Sequence, residues 1–256
     1  MGILNATPDS FHTESRVAVD SALRTAERML EEGAGILDIG GMSTRPGSTA
    51  ISEAEELQRV LPVVAAIHAR FPDAWLSIDT YSSKVAKQAV ESGACMVNDI
   101  SAGLLDADML ATVAKLGVPY IAMHMQGTPK SMQKAPSYKD VAAEVTRSLS
   151  ERLNAARAAG IADVVLDPGF GFGKTTSHNY TLLRELGRIT ALGAPVLVGI
   201  SRKRMINEVL GTTASEALNG TTVLNTIALL GGSAILRVHD VREAVEAVKL
   251  VERYRT

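Results

Sequence analysis

The stretch GACMVNDISAGLLDADMLATVAKLGVPYIAMH, residues 93–124, decides the fold. Residues 96–99 form a short aliphatic run that ends in two polar side chains, Asn98 and Asp99. Residues 107–116 then carry apolar positions at helical spacing, and Gly117 stands where a helix is expected to stop. A second short run, residues 120–124, follows at once and again ends in a polar side chain, His124. This is a strand, a helix and the next strand, the unit from which parallel sheets are built.

The same unit repeats in both directions. Strands are expected at 2–5, 35–40, 75–79, 96–99, 120–124, 164–167, 196–199 and 235–238. Helices are expected at 17–32, 52–69, 83–91, 107–116, 138–159, 181–192, 214–230 and 240–254. Ser52 followed by Glu55 reads as a capping box, and Gly33, Gly93, Gly117, Gly160 and Gly193 each sit just before a strand. Eight βα units in 256 residues close most economically into a (β/α)8 TIM barrel, a single domain over residues 1–256. An open doubly wound sheet uses the same alternation. The long irregular segments 7–16, 43–51, 126–137 and 168–179 all follow strands, which places them on the face where such barrels carry their sites.

Composition narrows the function. A formal charge of −2 supplies no basic field for nucleic acid, and no apolar run reaches the length of a membrane span. Cys95 is the only cysteine, and no basic, apolar leader opens the chain, so a reducing cytoplasm is expected. Charge-rich stretches such as Glu53-Ala54-Glu55-Glu56 read as solvated helix faces.

Ten polar residues stand at the ends of otherwise apolar strands: Asn5, Asp38, Asp79, Asn98, Asp99, His124, Asp167, Lys203, Arg237 and His239. One such residue would be a satisfied hydrogen bond at a barrel end. Contributions from nearly every strand point instead to a site at the barrel mouth.

The segments around them resemble the dihydropteroate synthases. Met1-Gly2-Ile3-Leu4-Asn5 with Thr7-Pro8-Asp9-Ser10-Phe11 matches the first signature of that family. Asp38-Ile39-Gly40-Gly41 with Ser43-Thr44-Arg45-Pro46-Gly47, Ser77-Ile78-Asp79-Thr80, Val97-Asn98-Asp99-Ile100 and Met123-His124-Met125-Gln126-Gly127 agree in order. So do Asp167-Pro168-Gly169-Phe170-Gly171-Phe172-Gly173-Lys174, Ser201-Arg202-Lys203 and Arg237-Val238-His239-Asp240.

The resemblance implies a transferase of folate synthesis that joins a pterin diphosphate to 4-aminobenzoate. It assigns Asp79, Asn98, Asp167 and Lys203 to the pterin, whose edge mixes donors and acceptors. Asp167 also reads as the start of the turn at Pro168-Gly169. The diphosphate falls to Thr44, Arg45, Arg237 and His239, although Arg237 alone would read equally well as a rim ion pair. Mg²⁺ is implied, with Asn5 as its protein ligand, and so is a 4-aminobenzoate pocket of Ser201, Lys203, Phe11, Pro46 and Phe172. Sulfonamides, which imitate that acid, should compete with it. A homodimer through the last two helices is also implied, with packing of those helices on the barrel as the alternative.

The sequence departs from the family pattern at Met42, where an acidic residue is usual, and at His12-Thr13-Glu14-Ser15-Arg16, which replaces a glycine-containing run. Strand one also starts the chain, so either weaker capping of the barrel floor or a trimmed N-terminus is expected. Two other readings remain: a pterin-dependent methyltransferase, which has no use for a diphosphate cluster, and a silent pterin-binding barrel, which would be expected to have lost Lys203, Arg237 or Asn5.

Overall fold

The computed structural model describes residues 1–6, 15–42, 51–129 and 131–256. Eight parallel strands carry the architecture: β1 (Gly2–Asn5), β2 (Ile36–Gly40), β3 (Trp75–Asp79), β4 (Met96–Asp99), β5 (Tyr120–Met123), β6 (Val164–Asp167), β7 (Leu197–Val198) and β8 (Ile235–Leu236). The first six pair in sequence order, and β7 pairs with β8. Both seams between the two sets are bridged. Leu166 pairs with Val196, and Gly2 pairs with Val238 through Ile3 N–H to Val238 O at 2.9 Å and Val238 N–H to Met1 O at 3.0 Å. Hydrogen bonding therefore runs round all eight strands, and no open edge remains for a doubly wound sheet.

Helices follow the strands: α1 (Ser15–Glu31), α2 (Glu53–Arg70), α3 (Ser83–Glu91), α4 (Met109–Leu116), α5 (Val141–Ala158), α6 (Thr176–Arg184), α7 (Gly187–Thr190), α8 (Arg204–Leu210), α9 (Leu218–Leu230) and α10 (Val241–Arg255). One helix was expected at 181–192, but the chain breaks into α6 and α7, and α6 starts five residues earlier because Thr175 and His178 form a capping box. The single helix expected at 214–230 is a 3₁₀ turn, Ala214–Glu216, followed by α9. α8 was not foreseen. The box expected at Ser52 is half made: Ser52 accepts from Glu55 N–H at 3.2 Å, while the Glu55 carboxylate turns to Arg59 at 2.5 Å. All five glycine stops have positive φ, and Gly117 ends α4 in the left-handed conformation at 68°.

The core has two parts, as expected of a barrel. One lies between strands and helices and holds Leu37, Ile39, Leu76, Ile78, Tyr120 and Leu166. A smaller one, Met96, Ile121, Val165 and Leu197, comes from the four consecutive strands β4 to β7.

The largest buried side chain, Tyr120, carries a hydroxyl, and that hydroxyl donates to Asp99 Oδ2 at 2.7 Å. Asp99 is completely buried and also accepts from Ser101 N–H and Oγ at 2.7 Å each and from Gly103 N–H at 2.7 Å. These bonds fold the segment after β4 back over the strand end that carries Asn98. Tyr120→Phe leaves one carboxylate oxygen with only Gly103 as donor, so it should lower unfolding free energy by about 1–3 kcal/mol in urea titration. An unchanged midpoint would show that the hydroxyl contributes nothing.

Candidate active site

Parallel pairing in register sets the site. Asn5 lies beside Gly40, Gly40 beside Asp79, and Asp79 beside Asn98, so the ends of β1 to β4 form one row across the mouth. A Cβ at Gly40 would make only an ordinary contact, 3.5 Å, with that of Asp79.

Arg237 reaches over this row from beyond β8. Its Nε donates to Asp38 Oδ2 at 2.6 Å and its Nη2 to Asp79 Oδ2 at 2.7 Å. The guanidinium is thus ion-paired at the barrel rim, the alternative its sequence context left open, rather than standing as a bare cation. Burial pushes the Asp79 carboxyl up, against the pull of Arg237. Both acids hold the Arg237 guanidinium well above its ordinary value although burial opposes them. Asp38 belongs to no role assigned from sequence, yet it is the most enclosed acid of the group and also accepts from Asn98 Nδ2 at 3.0 Å.

On the opposite side Asp167 faces Lys203. Asp167 Oδ1 accepts from Gly169 N–H at 2.7 Å, so Asp167 does start the turn at Pro168-Gly169. Burial pushes its carboxyl up, with Lys203 the main opposing influence. Burial lowers the Lys203 ammonium to about 8, with Asp167 opposing. Lys203 donates to Phe170 O and stands 4.8 Å from the centre of the Phe172 ring. Phe172 is therefore next to the group with which it was expected to share a pocket.

Two motifs far apart in sequence interlock here. Ser201 Oγ lies 3.0 Å from His239 Nδ1 and accepts from His239 N–H at 3.2 Å. Between Ser201 and Lys203, Arg202 takes a left-handed φ of 56°, a conformation that needs outside support. Asp240 supplies it through a bidentate pair at 2.8 Å, and Ala214 O and Ser215 O accept from Nη1.

Lys174 entered the sequence reading only as the end of a matching segment. It is 3% exposed, and its Nζ donates to Gly169 O at 2.9 Å and Phe172 O at 3.0 Å and lies 3.0 Å from His124 Nδ1. It clasps the glycine-rich loop after β6 to the end of β5. Burial lowers its ammonium to about 7, and burial with Lys174 nearby lowers His124 to about 3, so His124 is neutral. Gly169 is irreplaceable in this clasp, since a Cβ would fall 1.9 Å from His124 O. A lysine after three alternating glycines was the available signal, but its role depends on His124 fifty residues away.

Glu56 corrects the reading of its stretch as a solvated face. Glu53 and Glu55 are exposed, whereas Glu56 is 2% exposed and its Oε1 has no partner among the described residues. It lines a cavity of about 370 Å³ with Met42, Ile51, Tyr81 and Asp106. Met42 there accepts a hydrogen bond from Tyr81 Oη at 3.3 Å. The acid expected to be missing at Met42 thus has neighbours in Glu53 and Glu56. Phe11, Thr44, Arg45 and Pro46 lie outside the described residues.

Residues 1–239 match the family of pterin binding enzymes. The chain belongs to that family. It is 48% identical over 255 residues to the dihydropteroate synthase of Escherichia coli (strain K12), covering 98% of this chain and 90% of that one. It is 45% identical over 253 residues to the Haemophilus influenzae dihydropteroate synthase, with 98% and 91% covered. Among solved structures, the Yersinia pestis dihydropteroate synthase with a sulfonamide drug complex superposes with a TM-score of 0.93 at 45% identity, covering 100% of this chain and 93% of that one. The Xanthomonas albilineans dihydropteroate synthase with 4-aminobenzoic acid gives 0.92 at 44%, with 100% and 92% covered. These pterin-binding relatives share the barrel along its whole length.

Burial holds the Glu56 carboxyl up at about 7, against 4.5 ordinarily. Between those values the folded chain keeps a proton that the unfolded chain has lost, so stability falls as pH rises through the window. Glu56→Gln carries no such group. Its stability relative to wild type should rise between about pH 5 and about pH 8, by on the order of 3 kcal/mol. Urea titrations showing the same difference at both values would count against a buried, proton-holding carboxyl.

Proposed function

We propose that the chain condenses 6-hydroxymethyl-7,8-dihydropterin diphosphate with 4-aminobenzoate to give 7,8-dihydropteroate and diphosphate. The observation that carries this reading is the convergence of Asp79, Asn98, Asp167, Lys203 and Arg237 at one barrel mouth in a pterin binding enzyme. Relatives named for this activity are 41–48% identical along nearly the whole chain.

The pterin would lie between the two halves of the mouth. Asp79, Asn98 and the second oxygen of Asp167 meet its donors, and the remaining Lys203 hydrogens meet its acceptors. Arg237 and His239, with Thr44 and Arg45 from the segment after β2, receive the departing diphosphate. Cleavage of the carbon–oxygen bond leaves a cation on the exocyclic methylene, which the electron-rich ring stabilises. The 4-aminobenzoate nitrogen attacks that carbon and releases a proton. Ser201, Lys203 and Phe172, with Phe11 and Pro46, hold the acid.

Among the described residues no cluster of His, Cys, Asp or Glu could hold a metal. The Asn5 side chain makes no hydrogen bond among them and stands at the end of β1, so it fits a single oxygen ligand to a weakly held Mg²⁺. When bound, Mg²⁺ would neutralise charge on the diphosphate. The lone thiol of Cys95 is in keeping with a cytoplasmic setting.

Diphosphate release should require the pterin diphosphate, 4-aminobenzoate and Mg²⁺ together. Arg237→Ala should lower kcat by about 10²–10³, and a sulfonamide should raise the KM for 4-aminobenzoate without lowering kcat. Pterin binding without release would sink the reading.

We also assign a second copy of this chain to the apolar face of α9 and α10, where Val223, Ile227, Leu230, Leu250 and Tyr254 are all exposed. Sedimentation should give a dimer for the wild type and a monomer for Ile227→Glu with Leu250→Glu. A monomeric wild type would remove the assignment.

A further inference from the structure

We infer that Asp38 is a positioning residue that fixes which hydrogen-bonding face Asn98 offers to the ligand. An asparagine amide is nearly symmetrical in shape, and unless a neighbour decides its orientation it can present either a donor or an acceptor. Asp38 is completely buried, and a carboxylate only accepts. Its Oδ2 takes Asn98 Nδ2 at 3.0 Å and Arg237 Nε at 2.6 Å. A flipped amide would set oxygen against oxygen at that distance.

Asn98 Oδ1 is left without a partner among the described residues, and it is absent from the enclosed orphan atoms. It is thus the accessible pole of a side chain that is 96% buried overall, the residue being only 4% exposed. Position 98 is therefore held as an acceptor, which selects ring edges that bring an N–H group. Because the same Asp38 oxygen also holds Arg237, one buried carboxylate aligns both the heterocycle pocket and the cation above it. Its other oxygen, Oδ1, is buried without a partner among the described residues, so only the shared oxygen acts.

The inference rests on the reading that Asn98 belongs to the pterin pocket, and the variants separate the two. The probe is 6-hydroxymethyl-7,8-dihydropterin, with Kd measured by calorimetry below the melting temperature of each variant. Asp38→Ala frees the amide and should weaken binding about tenfold or more. Asp38→Asn keeps one oxygen for both donors and should stay within about threefold of wild type. The KM for 4-aminobenzoate at saturating pterin diphosphate should be unchanged in both, which a general loosening of the barrel would not allow.

Wild-type affinity in Asp38→Ala, with affinity lost in Asn98→Ala, overturns the role of Asp38 and leaves the proposed activity standing. Wild-type affinity in Asn98→Ala removes Asn98 from the pocket and overturns both. Should Asp38→Ala not fold, Asn98→Asp decides. It keeps an acceptor but sets its own carboxylate against that of Asp38 at the tether, so about tenfold weaker binding supports the tether and unchanged binding refutes it.

Discussion

One ion cluster organises the barrel mouth: Arg237 bound to Asp38 and Asp79 in a setting where none of the three is well solvated. Removing either acid would strand part of a guanidinium that is 21% exposed, and breaking a buried pair commonly costs about 3–5 kcal/mol. Such pairs seldom raise net stability over apolar packing, so the cluster is better understood as a device for alignment. It joins β2, β3 and the segment after β8, and through Asn98 it reaches β4. Strands far apart in sequence therefore present their polar ends at fixed spacings.

The other half of the mouth is aligned by different means. Lys174 ties backbone carbonyls of the loop after β6 to His124, and the Arg202–Asp240 pair supports a strained residue between Ser201 and Lys203. In both cases a charged side chain acts on backbone and not on a ligand. Loops at barrel mouths have few apolar contacts to hold them, and charge-assisted bonds to carbonyls substitute for a core. The lowered affinity of Lys174 for its proton follows from the same burial that makes the clasp rigid.

Legibility from sequence followed the range of the interactions. Four strands, Gly2–Asn5, Trp75–Asp79, Met96–Asp99 and Val164–Asp167, and the helix Ser83–Glu91 match the bounds read from pattern, because alternation and capping are local. The region from 175 to 217 matched poorly. There the pattern of residues 181–192 continues through a break, and α8 follows the Lys203 turn with little periodicity of its own. Glu56 was misread because its charge-rich neighbours suggest a solvated face, while its burial is imposed by Gly41 and Thr80 across the strand ends.

The sequence by itself determined that eight strands alternate with helices and that most strands end in polar residues, since both depend on neighbours within about a helical turn or two. Only the tertiary structure decided their partnerships. Arg237 and Asp38 are 199 positions apart, and Arg237 and Asp79 are 158 apart. Nothing local in either segment could show that the arginine lies across two acids, that Asp38 holds the Asn98 amide, or that Lys174 closes a loop onto His124. Those contacts exist because the last strands pair back to the first, and ring closure is a property of the whole chain.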